Sequence, residues 1–269
     1  MNSKNTADRP IGVIGSGSFG TVIANLLAEN HEVILYTRRT EVVEAIHKER
    51  FHNKQQMHPR VHATTDLQEV GERCTLIFPV VPSKVFRTVI QNLAKYLTPA
   101  HILIHGIKGL DVVLTESEKL RADELKLSLD RIKTMSQVML EETCVLRVGC
   151  ISGPNLAREI ARKLPSATVI ASHFDEVIAM GKWALRSDRF MVFDNRDLVG
   201  VELAGVLKNI LALGSGMVSG LDLGENARIL DRAATVFEKQ LGTVPKGYRS
   251  PSWEMTPDVL GLLAERNFR

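Results

Sequence analysis

Up to about residue 195 the apolar positions alternate between two kinds of run. Short, nearly continuous blocks predict buried strands at 11–14, 32–36, 74–81, 101–105, 145–151, 167–171 and 190–193. Between them, apolar residues recur at helical spacing. They predict a helix through Val22, Ile23, Leu26 and Leu27, then 40–50 with Thr40 as N-cap, 84–96, the LAREIARK stretch after Pro154, and 174–186. Residues 51–60, with several His, Asn and Gln, read as a loop. Residues 111–143 are charged and helix-prone, with Thr115 and Glu118 spaced for a capping box, and predict a solvated helix or helical pair outside the sheet. Strands alternating with helices mean α/β with a largely parallel, doubly wound sheet. From Asp197 the pattern turns all-helical, and 198–218 is apolar on nearly every face, which predicts a buried helix. The expected division is 1–195 and a smaller helical 196–269.

Composition narrows the function classes. With 269 residues, 44% of them hydrophobic, the chain can bury a real core. A net charge of +3 with no Lys/Arg block and no interleaved aromatics points away from nucleic acid and stays compatible with anionic small molecules. Cys74, Cys144 and Cys150 have no CxxC spacing, so neither a disulfide framework nor a zinc site is expected, and all three read as buried thiols beside apolar runs. His47, His52, His58 and His62 lack the accompanying ligands that a metal site needs, and no metal is expected. The N-terminus is polar and no apolar run reaches the length of a membrane span, so the expectation is a cytoplasmic protein without membrane association.

The candidate chemistry begins at Gly15, Gly17 and Gly20, in G-x-G-x-x-G spacing between the first strand and the first helix. Gly15 permits the tight turn, Gly17 a close approach of backbone to a pyrophosphate, and Gly20 close packing of helix on strand. The helix N-terminus then offers N–H groups and a positive dipole end to phosphates. The unit predicts a dinucleotide-binding, Rossmann-like first domain. At the end of the second strand, where an acidic residue usually binds the ribose 2′-OH of NAD, stand Arg38 and Arg39. They suit a 2′-phosphate, so the cofactor is read as NADP or NAD, with NADP accepted.

Further along, Pro82-Ser83, Gly106-Ile107-Lys108-Gly109 and Ser152-Gly153-Pro154-Asn155 each follow a predicted strand, at the edge where ligands bind in such sheets. Ser83 reads equally as a helix cap. Lys108 is a cation at a strand's carboxyl end. In the apolar helix, Lys208 would be desolvated toward the pKa of a general base, or would snorkel outward or pair with Glu202.

Together, Gly15–Gly20, Gly106–Gly109, Ile151–Pro154 and the stretch Val201-Glu-Leu-Ala-Gly-Val-Leu-Lys208-Asn209, with Asn226-Ala-Arg228 after it, resemble the bacterial-type NAD(P)-dependent glycerol-3-phosphate dehydrogenases. The resemblance implies a Rossmann-like domain followed by a helical domain, and interconversion of dihydroxyacetone phosphate and sn-glycerol 3-phosphate. It implies Lys208 as proton acceptor, Lys108 on substrate and cofactor, and Gly153, Asn155 and Asn209 on the substrate. Ser18, Phe19, Arg38 and Ala157 would lie on the cofactor. The family's later Gly-Leu-Gly-Asp and Ser-Arg-Asn segments are absent, so the helical domain is read as shortened, with Arg228, Lys246 or Arg249 as replacements for the lost arginine. Apolar surface left by that shortening would favour a homodimer. Two other readings stay open: a non-catalytic dinucleotide-binding paralogue, and a reductase of another small keto or hydroxy acid.

Overall fold

The computed structural model describes residues 9–112, 128–208 and the single positions 114, 118, 235 and 238. The chain forms two compact units, Met1–Gly205 and Val206–Arg269.

In the first unit, β1 (Ile11–Ile14), α1 (Ser18–Ala28), β2 (Val33–Tyr36) and α2 (Thr40–Glu49) make the opening repeat. A two-residue-per-strand hairpin follows, β3 (Phe51–His52) and β4 (Gln55–Gln56), where the sequence predicts only a loop. Its turn residues Asn53 and Lys54 have φ of 49° and 62°, the left-handed pair that a tight hairpin requires. No glycine marks it, which is why the pattern hides it. Then come β5 (Val61–Thr64), α3 (Leu67–Arg73), β6 (Leu76–Pro79), α4 (Ser83–Ala94) and β7 (Ile102–His105).

Both predicted caps shift by one residue. Arg39 takes the N-cap ahead of Thr40, and Pro82 ahead of Ser83, neither with a side-chain capping bond. Thr37 Oγ1 instead accepts the Arg39 N–H at 3.4 Å.

Of the 111–143 region, residues 113, 115–117 and 119–127 lie outside the described residues, so the expected solvated helix is not decided there. The described part of the region holds a short antiparallel pair, β8 (Asp111–Val112) with β9 (Ile132–Lys133), and α5 (Met135–Glu142). Met135, Val138 and Met139 of α5 are buried. The capping box present is Thr134 with Gln137. Thr115 lies outside the described residues, and Glu118 pairs with Arg131 at 2.7 Å.

The chain continues through β10 (Val148–Ser152), α6 (Ala157–Ala161), β11 (Ser166–Ala171), α7 (Asp175–Leu185) and β12 (Phe190–Asn195). Leu156 is the N-cap of α6, so the helix predicted over LAREIARK is present, one residue later at its start and ending at Ala161.

The eight strands order as β12-β11-β10-β7-β6-β1-β2-β5. All pairs are parallel except β10 with β11. The chain builds outward from β1 through β2 to β5, then returns to the other side of β1 with β6. The carboxyl ends of β1 and β6 therefore form the switch point at which such sheets bind ligands. β1, β6 and β7 are buried along their whole length, as expected for strands covered on both faces.

Residues 198–208 are helical (α8). Leu198 and Glu202 are buried, whereas Val199, Leu203 and Leu207 are exposed. The described part of this helix is thus not buried all round: it turns a carboxylate inward and an aliphatic ridge outward.

Candidate functional site

The glycine turn is shaped by close backbone approach. A Cβ at Gly20 would stand 1.8 Å from the Gly15 carbonyl oxygen, and Gly15 itself has φ +118°, so neither position accepts a side chain without rearrangement. Gly17 is different. It is the N-cap of α1, and a Cβ there would meet nothing within 4 Å. No side chain caps α1 and no acidic residue lies in its first turn. The first N–H groups and the positive end of the helix dipole therefore face open space, the arrangement that takes a phosphate.

The loop is held from behind. Ser16 Oγ donates to Thr37 Oγ1 at 2.8 Å. Arg39 Nη2 lies 3.4 Å from Ser16 Oγ. From the β3–β4 hairpin, His52 Nε2 and Asn53 Nδ2 both donate to the Ser16 carbonyl at 2.9 Å, and Asn53 Nδ2 also reaches Thr21 Oγ1 at 2.8 Å. The Ser16 carbonyl is thereby committed to the hairpin. Arg38 and Arg39 are exposed at the end of β2 with no carboxylate beside them in the 36–39 stretch, a surface suited to a phosphate on the ribose.

Two further connections, after β6 and β7, meet this loop at the same sheet edge. A Cβ at Gly15 would touch the Val80 carbonyl oxygen at 2.8 Å, one at Gly106 the Phe19 ring at 2.7 Å, and one at Gly109 the Ser83 side chain at 2.7 Å. The loops after β1, β6 and β7 are in van der Waals contact, and exposed Lys108 sits in the last of them.

Beneath Lys108 lies a buried polar cluster. His105 is 1% and Glu202 6% exposed. His105 Nε2 donates to Glu202 Oε1 at 2.9 Å, and the Ser136 N–H of α5 donates to the same oxygen at 3.0 Å. Ser136 Oγ is 3.3 Å from His105 Nε2. Burial pushes the Glu202 carboxyl up, but the hydrogen bonds from His105 and from Ser136 together hold it below its ordinary value. The sequence option of a Glu202–Lys208 pair gives way to this cluster.

After β10, Gly153 adopts φ +155° and Asn155 is buried. Asn155 Nδ2 donates to Thr168 Oγ1 at 2.9 Å, while its Oδ1 is buried with no partner. Ala157 opens α6 and, with Ser18, lines a cavity of about 1170 Å³. A Cβ at Gly205 of α8 would lie 2.7 Å from Ser152 Oγ, so α8 also abuts this edge.

Lys208 ends the described part of α8 and is half-buried. Asn209, Arg228, Lys246 and Arg249 lie outside the described residues. Among the described residues no cluster of three or more His, Cys, Asp or Glu could hold a metal. Cys74 and Cys150 are buried, and burial pushes the Cys74 thiol up to about 12. Cys144 is exposed, which corrects the expectation of three buried thiols. No described helix is long and apolar enough to cross a membrane.

Sequence reading missed His52, Asn53, His105 and Ser136. An Asn at a hairpin turn and a His ending an apolar strand are signals, but their partners lie far away along the chain.

Residues 10–178 match the family model for the NAD-dependent glycerol-3-phosphate dehydrogenase N-terminus, and 197–237 that for the C-terminus. A glycerol-3-phosphate dehydrogenase [NAD(P)+] of Pseudomonas paraeruginosa is 39% identical over 250 residues, covering 89% of this chain and 68% of that protein. Another of Pseudomonas fluorescens is 40% identical over 228 residues, covering 83% of this chain and 59% of that one. Among solved structures, a glycerol-3-phosphate dehydrogenase of Coxiella burnetii superposes with a TM-score of 0.71 at 28% identity, covering 97% of this chain and 74% of that one.

Proposed function

The chain belongs to the NAD-dependent glycerol-3-phosphate dehydrogenase family, and we propose that it interconverts dihydroxyacetone phosphate and sn-glycerol 3-phosphate with NADPH or NADH, in the direction that feeds glycerophospholipid synthesis. The observation that carries this reading is the packing of the phosphate-ready glycine turn against the Lys108 loop at the β1/β6 switch point.

The residues present fit a dinucleotide. The open space at Gly17, the uncapped α1 and the paired arginines after β2 suit a pyrophosphate and a ribose phosphate. Gly15, Gly17, Ser18, Phe19 and Gly20 would form the cradle, Arg38 and Arg39 the ribose end, and Ala157 the far wall. The cofactor, when bound, supplies the hydride. The chain's own residues orient the ketone and manage its proton and charge. Lys108 places positive charge on the carbonyl and phosphate side. Lys208 gives the carbonyl oxygen its proton in reduction and takes it back in oxidation. Gly153 and Asn155 bound the substrate, with the unpartnered Asn155 Oδ1 available to accept a substrate hydroxyl. Asn209, next to Lys208, is assigned to the substrate as well. The domain division of the sequence reading, 1–195 for the cofactor and 196–269 for the substrate, goes with this assignment.

A small, soluble phosphorylated substrate and a nicotinamide cofactor support a cytoplasmic location. The outward ridge Val199, Leu203 and Leu207 supports a homodimer. A monomer by light scattering at micromolar concentration would remove that assignment.

The test is NADPH oxidation with dihydroxyacetone phosphate, with Lys208→Ala in parallel. Turnover is expected, and Lys208→Ala should lower it by about a hundred- to ten-thousandfold, the worth of a positioned proton donor. NADPH binding without turnover would support the non-catalytic reading instead.

A further inference from the structure

The most buried carboxylate among the described residues has no role in the chemistry above. Glu202 is buried on α8, with Oε1 shared between His105 and the Ser136 N–H and Oε2 buried with no partner. A buried carboxylate is costly unless its bonds are good, so the arrangement is expected to serve something beyond packing. What it serves is legible in the other nitrogen of the same ring. The Ile107 N–H donates to His105 Nδ1 at 3.2 Å. Nδ1 is therefore the unprotonated nitrogen, and Nε2 carries the proton given to Glu202. Glu202 thus selects the tautomer that leaves Nδ1 free to hold the backbone of Ile107, one residue before Lys108.

The same loop is also held on the β6 side, where the Gly106 N–H donates to the Pro79 carbonyl at 3.4 Å. The neighbours a Cβ would meet at Gly106 and Gly109 are the side chains of Phe19, Ile151 and Ser83, which locate the loop without fixing the direction of its peptides. Ile107 packs into the second core cluster. The hydrogen bond to Nδ1 orients the next peptide N–H, that of Ile107, immediately before Lys108.

We propose that His105 and Glu202 are positioning residues for Lys108: the Glu202–His105–Ile107 relay fixes the backbone from which the lysine reaches the substrate. This rests on the dehydrogenase reading for the role of Lys108. Its consequence is a coupling: removal of the relay should cost activity only while Lys108 is there to be misplaced.

The experiment is a double-mutant cycle in kcat/KM for dihydroxyacetone phosphate with NADPH, using His105→Phe, Lys108→Ala and the double variant. His105→Phe keeps a buried ring and removes both nitrogens. We expect it to lower kcat/KM about ten- to a hundredfold, the scale of a misplaced catalytic group, and to have little further effect in the Lys108→Ala background. His105→Asn, whose side chain can still accept the Ile107 N–H locally, should recover part of the loss. Equal losses in both backgrounds would mean a structural role only and would overturn the proposal. If His105→Phe does not fold, the cycle is run with Glu202→Leu against the same criterion.

Amide hydrogen exchange gives an arm independent of turnover. The Ile107 amide should be protected in the wild type and exchange faster in His105→Phe and Glu202→Leu. A freely exchanging Ile107 amide in the wild type overturns the relay. Absence of wild-type turnover would sink the dehydrogenase reading instead and leave the relay to be decided by exchange.

Discussion

The glycine loop and the lysine loop touch one another at the same sheet edge, yet they are held in opposite ways. The first is shaped by what is missing: at Gly20 a side chain would collide with backbone. The second is shaped by what has been buried beneath it, an imidazole, a carboxylate and a helix N-terminal N–H. Backbone exclusion writes itself into a short sequence motif. A buried polar relay assembles residues 105, 136 and 202 and leaves no local signature. One mechanism fixes shape by sterics, the other by a hydrogen-bond chain whose partners must all be present.

The sharpest test of the contrast lies within the glycine loop. Gly20→Ala should destabilise the protein by about 3 kcal/mol or more, because the neighbour that must yield is the Gly15 backbone. Gly17→Ala puts its methyl into open space at an ordinary φ of −72°. It should leave stability within about 0.5 kcal/mol of wild type while weakening NADPH binding about tenfold or more. Thermal or denaturant unfolding together with a fluorescence titration separates the two effects. If both variants fail in the same way, the loop is not divided into a packing glycine and a ligand glycine.

The lysine loop should instead respond to acid. The folded pKa of Glu202 lies below its ordinary 4.5, because the hydrogen bonds from His105 and Ser136 outweigh burial. Its contribution is therefore fully present above that value and is lost as pH falls through the folded one. Glu202→Gln should cost about 1–3 kcal/mol at neutral pH, and the gap from wild type should close at pH values below 4.5. The buried neighbours that share the site are His105 and Cys150, whose thiol is pushed up by burial and by Glu202. A gap that persists unchanged into acid would show that the carboxylate's charge is irrelevant to the loop's anchor.

How far each region can be read from sequence follows from the same difference. The parallel strands, the G-x-G-x-x-G turn and the carboxyl-edge positions of Lys108 and Asn155 are local patterns, and the structure has the strands and loops there. The errors fall where local preference is overruled. Asn53 and Lys54 turn a hairpin without glycine, because the hairpin gains bonds to Ser16 and Thr21. Residues 135–142 are drawn into the core by Met135, Val138 and Met139 despite a charged neighbourhood. Glu202 reads as an interruption of an apolar helix and proves to be its most buried functional group. Lys208 is placed by its helix only as far as the described residues run.

A smaller effect tests the charged end of the cofactor site. Arg38 and Arg39 are exposed, so removing them should leave the fold intact and change only what meets the ribose. Arg38→Ala/Arg39→Ala should weaken NADPH on the order of tenfold and NADH by less than about twofold. Titration with both nucleotides decides it. Equal losses for both would assign the arginines to the adenine or pyrophosphate instead of the 2′-phosphate.

The smallest expected effect asks whether the glycine loop also leans on polar support. Asn53→Ala removes the bonds to the Ser16 carbonyl and to Thr21 Oγ1, and His52 still holds the same carbonyl at 2.9 Å. The site is partly exposed, so water can replace the lost donor. The cost should be about 1 kcal/mol in stability, with NADPH affinity reduced about twofold to fivefold. Such a result keeps the two loops distinct: a backbone-packed turn survives the loss of one polar prop, whereas the lysine loop should not survive the loss of His105. A collapse of NADPH binding in Asn53→Ala would instead mean that the Ser16 carbonyl must be held by the hairpin for the α1 amides to face the phosphates, and that both loops depend on distant side chains.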